Sequence, residues 1–139
     1  MTARAEPGFP PVHVTAFLRI EGFAIFTAAV TAFHLTGGNW WLFAVLILAP
    51  DLSFVGALAG QRAGAWSYNL AHTYAVPLTL GAVVWLAGGA WALPVSLIWL
   101  AHIGVDRALG YGLKYDRFDV THLGLIGKAK KAKKLADAG

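Results

Sequence analysis

Six polar side chains lie inside long apolar stretches of this sequence, at spacings that could support chemistry. They are Glu21, Asp51, Asn69, His72, His102 and Asp106. His102 and Asp106 are four residues apart, and Asn69 and His72 are three apart, so each pair shares one face of a helix. Imidazole and carboxylate groups that converge from neighbouring helices form an N/O site for Zn²⁺, Mn²⁺ or Fe²⁺. Such a site would polarise a phosphoryl or acyl oxygen, or activate a water for attack.

The metal-site interpretation gives each of these groups a role. The predicted metal ligands are Asp51, His72, His102 and Asp106, and Glu21 is the candidate general base. Further along the chain, Gly110 and Gly112 permit a sharp turn beneath the helices. The residues predicted to bind an anionic substrate head group are Asn69, Tyr111, Lys114, Arg117 and His122.

Two other interpretations of the polar residues stay open. In a structural one, the three carboxylates Glu21, Asp51 and Asp106 pair with Arg19, Arg62 and Arg107, and hydrogen bonds satisfy the histidines. In the other, the histidines bind haem or another pigment, line a proton path, or belong to an accessory subunit of a larger membrane complex. An ionisable residue within a membrane span costs roughly 2.5–3.5 kcal/mol, so each one is expected to have a partner or a task.

The elements that carry these residues are predicted from composition and patterning. Only 13% of the residues are charged and 58% are hydrophobic, whereas about a quarter are charged in soluble domains, which excludes a water-soluble monomer. Four continuous apolar stretches, at residues 16–35, 40–59, 66–87 and 91–109, have about the 20 residues that a spanning helix needs. Short connectors favour an all-α, integral membrane four-helix antiparallel bundle. It would occupy residues 16–124, between an irregular lead-in (1–15) and a basic tail (125–139).

Basic residues predict the orientation of this bundle. With the N-terminus inside, all eleven Lys and Arg lie on or next to the cytoplasmic side, and the connectors 36–39 and 88–90 carry no charge. We therefore expect a multi-pass protein of the bacterial cytoplasmic (inner) membrane with both termini cytoplasmic. The polar residues then share one level in the cytoplasmic half, where Pro50 and Pro77 are expected to kink the second and third spans.

The basic tail predicts the partners. Its sequence KAKKAKK (residues 128–134) is typical of a segment attracted to anionic lipid head groups at the bilayer surface. Nucleic acid is not an expected partner, because aromatic residues do not alternate with the lysines and no binding fold is indicated. A homo-oligomer or a larger membrane complex stays open.

Several long motifs carry a resemblance. The runs APDLSFVGALAG (residues 49–60), YNLAHTYAVP (68–77) and AHIGVDRALGYGLKY (101–115), followed by THLG (121–124), resemble a family of small bacterial integral membrane proteins catalogued as a domain of unknown function. The resemblance implies a four-span membrane protein and no activity. Pro50–Asp51 and His72–Thr73 are also similar to motifs of inner-membrane metal-dependent hydrolases, but the Asp-x-Asp continuation is Asp51-Leu52-Ser53 here and an Arg-Gly-x-Thr-His pattern is absent.

Overall fold

Helices make up most of the structure, a computed structural model that describes residues 10–138. The elements within that range are α1 (Val12–Leu35), α2 (Trp40–Leu46), a 3₁₀ helix (Ala49–Ala59), α3 (Gln61–Ala71), α4 (Ala75–Leu86), α5 (Ala92–Leu109), β1 (Val120–Thr121), β2 (Gly124–Leu125) and α6 (Gly127–Ala136). The all-helical core that the sequence predicts is therefore present, with one small hairpin after α5.

α1 and α5 pack closely along their length. Gly22 and Gly104 face each other there, and a Cβ built on Gly104 would lie 2.6 Å from the backbone nitrogen of Phe26 and 2.8 Å from the carbonyl oxygen of Gly22. Small residues let backbones approach closely in membrane helix pairs. α1 begins at Val12, four residues before the expected start, whereas residues 1–9 of the predicted lead-in lie outside the described range.

The second apolar stretch changes its helix type near Pro50. The α-helical part ends at Leu46, and from Ala49 to Ala59 the chain forms a 3₁₀ helix. A 3₁₀ run of this length is uncommon, because side chains three residues apart eclipse each other. The change of helix type takes the place of the simple kink that was expected at Pro50.

The threefold repeat of the 3₁₀ helix gives it three distinct faces. Leu52, Val55 and Leu58 form an exposed apolar face, at 73%, 64% and 89% exposure. Phe54, three residues after Asp51, packs with its ring centroid 5.5 Å from that of Tyr68 in α3. Because i and i+3 side chains eclipse in a 3₁₀ helix, Asp51 points to the same side as Phe54, towards α3.

The third apolar stretch is two helices, which corrects the prediction of a continuous helix at residues 66–87. α3 ends at Ala71 with His72 as its C-cap, and α4 begins at Ala75. Pro77 lies in the first turn of α4, where proline is tolerated, and it has no N–H to bond the carbonyl four residues earlier. That carbonyl, Thr73 O, accepts from the Val76 N–H at 3.3 Å. Two other carbonyls at the break are bonded from α5, since Trp99 donates to Ala71 O at 2.6 Å and Arg107 donates to His72 O at 3.2 Å.

Three segments within the described range are long and apolar enough to cross a membrane: Val12–Leu35, Trp40–Ala59 and Ala92–Leu109. A fourth, Ala75–Leu86, is apolar but has only 12 residues. Large apolar side chains such as Trp41 and Leu86 are exposed on these elements, at 83% and 78%. The chain is therefore a multi-pass membrane protein.

The segment after α5 turns back under the helices. Gly110 ends α5 in the left-handed region, at φ 98°, which a side chain would disfavour. Residues 113–115 then run antiparallel to residues 120–122, and β1 pairs with β2. The predicted sharp turn is therefore present at Gly110, whereas a Cβ on Gly112 would meet the His122 ring at 2.6 Å. The basic tail that follows forms the exposed helix α6.

Candidate metal centre

Four side chains from three elements meet at one point. Asp51 comes from the 3₁₀ helix, His72 from the C-cap of α3, and His102 and Asp106 from one face of α5. One ligand atom from each lies within 4.8 Å of the ligand atoms of all the others. These four residues, which we call the His₂Asp₂ cluster, could hold a metal ion.

The interatomic distances suit a compact ion. The two Nε2 atoms are 3.0 Å apart, and the four Nε2-to-carboxylate distances are 3.4, 3.5, 3.4 and 3.7 Å. Bonds of about 2.0–2.1 Å to a tetrahedral ion put neighbouring ligand atoms about 3.3 Å apart. Five of the six ligand-atom distances are therefore within about 0.4 Å of those in a tetrahedral N₂O₂ site, and the two carboxylates lie within 4.8 Å of each other.

The same distances argue against a haem between the two histidines. Axial ligands on opposite sides of an iron would be about 4 Å apart with the porphyrin plane between them. Here the nitrogens are 3.0 Å apart, and carboxylate oxygens of Asp51 and Asp106 lie 3.4 and 3.5 Å from His72 Nε2. These distances do not fit an iron porphyrin held between the two imidazoles.

Tyr68, which the sequence analysis did not single out, orients two of the four ligands. His72 Nδ1 lies 2.9 Å from the carbonyl oxygen of Tyr68, so Nδ1–H donates and the Nε2 lone pair points into the cluster. The Tyr68 hydroxyl donates to Asp106 Oδ2 at 3.2 Å, and its ring stacks on the His72 imidazole at 3.7 Å. Hydrogen bonds of this kind fix ligand orientation in metal sites. Only its position one turn before His72 could have indicated Tyr68 in the sequence.

Access to the cluster is through its carboxylates. The side chains of His72 and His102 are 2% and 3% exposed, whereas those of Asp51 and Asp106 are 35% and 19% exposed. A small molecule would therefore approach from the side of the carboxylates, and the imidazoles form the closed back of the site.

The arginines that could have neutralised these carboxylates are bonded elsewhere. Arg19 donates to Ala108 O at 2.8 Å, and Arg62 lies 3.6 Å from Asp116. Arg107 donates to His72 O and contacts His122 Nε2 at 2.6 Å. Within residues 10–138, the three arginines therefore do not form the ion pairs with Glu21, Asp51 and Asp106 that the structural interpretation predicts.

Asn69 holds the segment after α5 against α3. Its Nδ2 donates to Lys114 O at 2.7 Å, and its Oδ1 accepts from Lys114 N–H at 2.6 Å. Both polar ends of this predicted head-group ligand are thus bonded to backbone. Because these bonds hold the backbone of Lys114, Asn69 also positions the Lys114 side chain.

Lys114 brings a positive charge close to the cluster. It is 5% exposed, and its Nζ lies 4.6 Å from the centroid of the Tyr68 ring and 5.2 Å from that of Phe118. No ion pair joins it to a carboxylate of the described residues. Burial lowers the pKa of Lys114. An ammonium that lies over two aromatic rings and forms no ion pair with a carboxylate of residues 10–138 makes Lys114 a candidate for binding an anion.

His122 joins the returning segment to α5. The Leu113 N–H donates to His122 Nδ1 at 2.9 Å, while the Arg107 guanidinium contacts the other ring nitrogen. Burial, and then the positive charge of Arg107, lower the pKa of His122 below its usual range. His122 is therefore packed as a neutral side chain.

The other predicted site residues lie outside this group. Glu21 is exposed on α1, next to Gly22 at the contact with α5, and is not a member of the cluster. Arg117 is exposed and forms an ion pair with Asp119 at 3.0 Å. Tyr111 is 45% exposed. The structure thus brings together the four predicted ligands and Lys114.

Comparison with known proteins gives a family. The family model described as "Domain of unknown function (DUF4260)" matches residues 15–126, most of the chain. The chain belongs to this family, as its motifs predicted. No curated protein and no solved structure matches the chain.

Proposed function

We propose that this member of the family is a metal-dependent hydrolase of the cytoplasmic membrane that acts on a lipid or another amphiphile. The observation that carries the proposal is the convergence of two imidazoles and two carboxylates, with ligand atoms within 4.8 Å, in a protein with three apolar helices of spanning length. Ionisable groups are rare at such depth unless they have a function.

The proposed membrane arrangement has four antiparallel spans. α4 alone has 12 residues, about 18 Å of helix, which is short of the ~30 Å hydrocarbon core. Together with α3 it makes a broken third span, whose free carbonyls at the break are bonded by Trp99 and Arg107 of α5. Irregular backbone is tolerated in a membrane where protein groups satisfy it in this way. Both termini would be cytoplasmic because the basic residues cluster at that end.

Cysteine labelling tests this arrangement directly. The chain contains no cysteine, so single variants at exposed positions, such as Thr36→Cys, Ala90→Cys and Arg62→Cys, report one site each. In intact cells we expect an impermeant maleimide to label the first two positions and to label Arg62→Cys only after lysis. Labelling of Arg62→Cys in intact cells would overturn the orientation.

The proposed metal is Zn²⁺, Mn²⁺ or Fe²⁺. A tetrahedral zinc ion would use all four protein ligands and keep no free position, whereas catalytic sites retain one. A five- or six-coordinate ion, or an Asp51 that moves aside, leaves room for water or substrate. Asp51 is the most exposed ligand and lies on the accessible side, so we place the open position there.

Each residue around the ion has its own proposed role. When bound, the ion polarises a phosphoryl or acyl oxygen and lowers the pKa of its bound water. Lys114 would stabilise negative charge on the substrate, and Tyr68 would hold Asp106 and His72 in place. Glu21 is the proposed general base, at the level of Gly22 and its contact with α5. Tyr111 and Arg117 line the approach of the head group, and α6 with its lysines would lie on anionic lipid.

Metal analysis of the purified protein tests the proposal. We expect about one metal ion per chain in the wild type, and a loss of nearly all of it in the His72→Ala/His102→Ala double variant, because two of the four ligands are gone. His34→Ala is the matched control, since His34 is exposed at the end of α1. Full metal retention in the double variant, or no metal in the wild type, would refute the metal site.

Activity is tested with vesicles that contain anionic phospholipids and neutral ones. Release of phosphate-containing head groups or of fatty acid is measured for the wild type, for Lys114→Met and for Glu21→Gln. We expect about 10²–10⁴-fold less activity without the base. A metal-replete protein that hydrolyses none of these lipids, and co-purifies with a large partner in mild detergent, would favour the accessory-subunit interpretation.

A further inference from the structure

An apolar cavity of about 330 Å³ adjoins the His₂Asp₂ cluster. Its walls come from the end of α2, the start of the 3₁₀ helix, the end of α3 and the first half of α5. Three wall residues place it beside the metal ligands. Pro50 precedes Asp51, Ala71 precedes His72, and Ile98 lies one turn before His102. The cavity volume is at the lower end of the ~300–1,000 Å³ typical of ligand pockets.

The cluster separates this cavity from the positive charges of the site. Along α5 the cavity residues Val95, Ile98 and Trp99 precede His102, whereas Arg107 follows Asp106. At 1.5 Å per residue, the cavity therefore extends about 5–10 Å from His102 towards the N-terminal end of α5. Lys114 lies on the far side, over the Tyr68 ring. The His₂Asp₂ cluster therefore lies between the Lys114 ammonium on one side and the apolar cavity on the other.

One residue of the cavity wall carries a polar atom without a partner. The Ser53 hydroxyl is buried and makes no hydrogen bond with the described residues. The other polar wall group, Trp99 Nε1–H, already donates to Ala71 O. A buried hydroxyl without a partner requires an explanation. After rotation of the Ser53 side chain about χ1 towards the cavity, a ligand carbonyl between the metal ligands and the apolar walls would accept its hydrogen bond.

We infer that this cavity binds one ester-linked acyl chain of an anionic lipid whose head group lies at the His₂Asp₂ cluster and Lys114, an inference that rests on the proposed function. The apolar walls match a hydrocarbon chain, and the Ser53 hydroxyl donates to the ester carbonyl at its start. The head group lies on the cationic side, so the ester or phosphoester region of the lipid lies beside the metal ligands. The substrate class is therefore an acylated anionic lipid.

Photolabelling tests the occupant. The probe is a phosphatidylglycerol with a diazirine in one ester-linked acyl chain, mixed at increasing mole fraction into neutral vesicles with the protein. We expect saturable labelling at Val95 and Ile98. Ala49→Leu and Val95→Phe, which fill the cavity from different elements, should raise the half-saturating fraction, because the acyl chain returns to the bilayer and loses its packing contacts with the cavity walls. For Val95→Phe, labelling is read at Ile98.

Ala28→Leu is the matched control, because Ala28 lines a different apolar cavity between α1, α4 and α5. It should leave the half-saturating fraction unchanged. Ser53→Ala should weaken the ester-linked probe about three- to tenfold, the value of one hydrogen bond, and should not change the binding of an ether-linked probe. Labelling of Ile98 that does not saturate, or that both filled variants leave unchanged, would overturn the inference.

The two proposals fail separately. Metal content and acyl labelling are measured on the same preparations of the wild type and of His72→Ala/His102→Ala. Metal without saturable labelling would refute the acyl pocket and leave the metal site intact. Saturable labelling without metal would refute the hydrolase and leave the acyl pocket as a lipid-binding site.

Discussion

Replacement of Asn69 by alanine should release the segment that carries Lys114. Asn69 makes two hydrogen bonds to the backbone of Lys114, at 2.6 and 2.7 Å. Each contributes about 0.5–1.5 kcal/mol net, so Asn69→Ala should destabilise the docked segment by about 1–3 kcal/mol. Since 1.4 kcal/mol is a factor of ten, the equilibrium constant for local opening should rise about 5- to 150-fold.

Hydrogen exchange measured by mass spectrometry reports this opening. We expect faster exchange of the amides in residues 113–125, where the backbone bonds Tyr115 N–H to Val120 O and His122 N–H to Leu113 O are made. Exchange in α1 should be unchanged. Asn69→Asp replaces the donor by a carboxylate oxygen that faces Lys114 O, so it should open the segment as well.

Asn39 provides the matched control. It also makes two side-chain hydrogen bonds, as the N-cap of α2, at 2.9 and 3.2 Å to the N–H groups of Trp41 and Leu42. Asn39→Ala should cost about 0.5–2 kcal/mol and should leave exchange in residues 113–125 unchanged. If Asn69→Ala protects this segment as well as the wild type does, or if Asn39→Ala exposes it equally, the reasoning is refuted.

Three further predictions follow from single contacts. Tyr68→Phe should lower metal affinity about 10–100-fold in a chelator competition, because one ligand loses its orienting hydrogen bond; an unchanged affinity would contradict this role. Gly104→Ala should cost about 1–3 kcal/mol in thermal unfolding through overpacking against α1, while the exposed Leu109→Ala should stay within about 0.5 kcal/mol. Because the folded pKa of His122 is lowered, the unfolded chain takes up the proton first, near pH 6.5. The stability of the wild type should therefore fall as the pH drops below about 6.5, and His122→Gln should flatten that dependence. Equal slopes of stability against pH in the two proteins would argue against this role of His122.

Some contacts of the site could not be predicted from local sequence. Tyr68 acts on Asp106, 38 positions away, and Asn69 bonds the backbone of Lys114, 45 positions away. Helical spacing indicates which side chains share a face of one helix and carries no information on which backbone group of another element they meet. For this reason Asn69 was predicted to bind a head group, whereas in the structure it is bonded to backbone.

The sequence by itself determined the membrane class, the helical character and the four residues of the His₂Asp₂ cluster. Low charge and continuous apolar runs are properties of composition, and ionisable groups within such runs are visible because burial without a partner is costly. The tertiary structure alone decided how the four residues meet. The 3₁₀ form of Ala49–Ala59 turns Asp51 towards α3, and the break after Ala71 places His72 at a helix end. Both depend on packing and hydrogen bonds from distant elements, among them the bonds that Trp99 and Arg107 donate at the break.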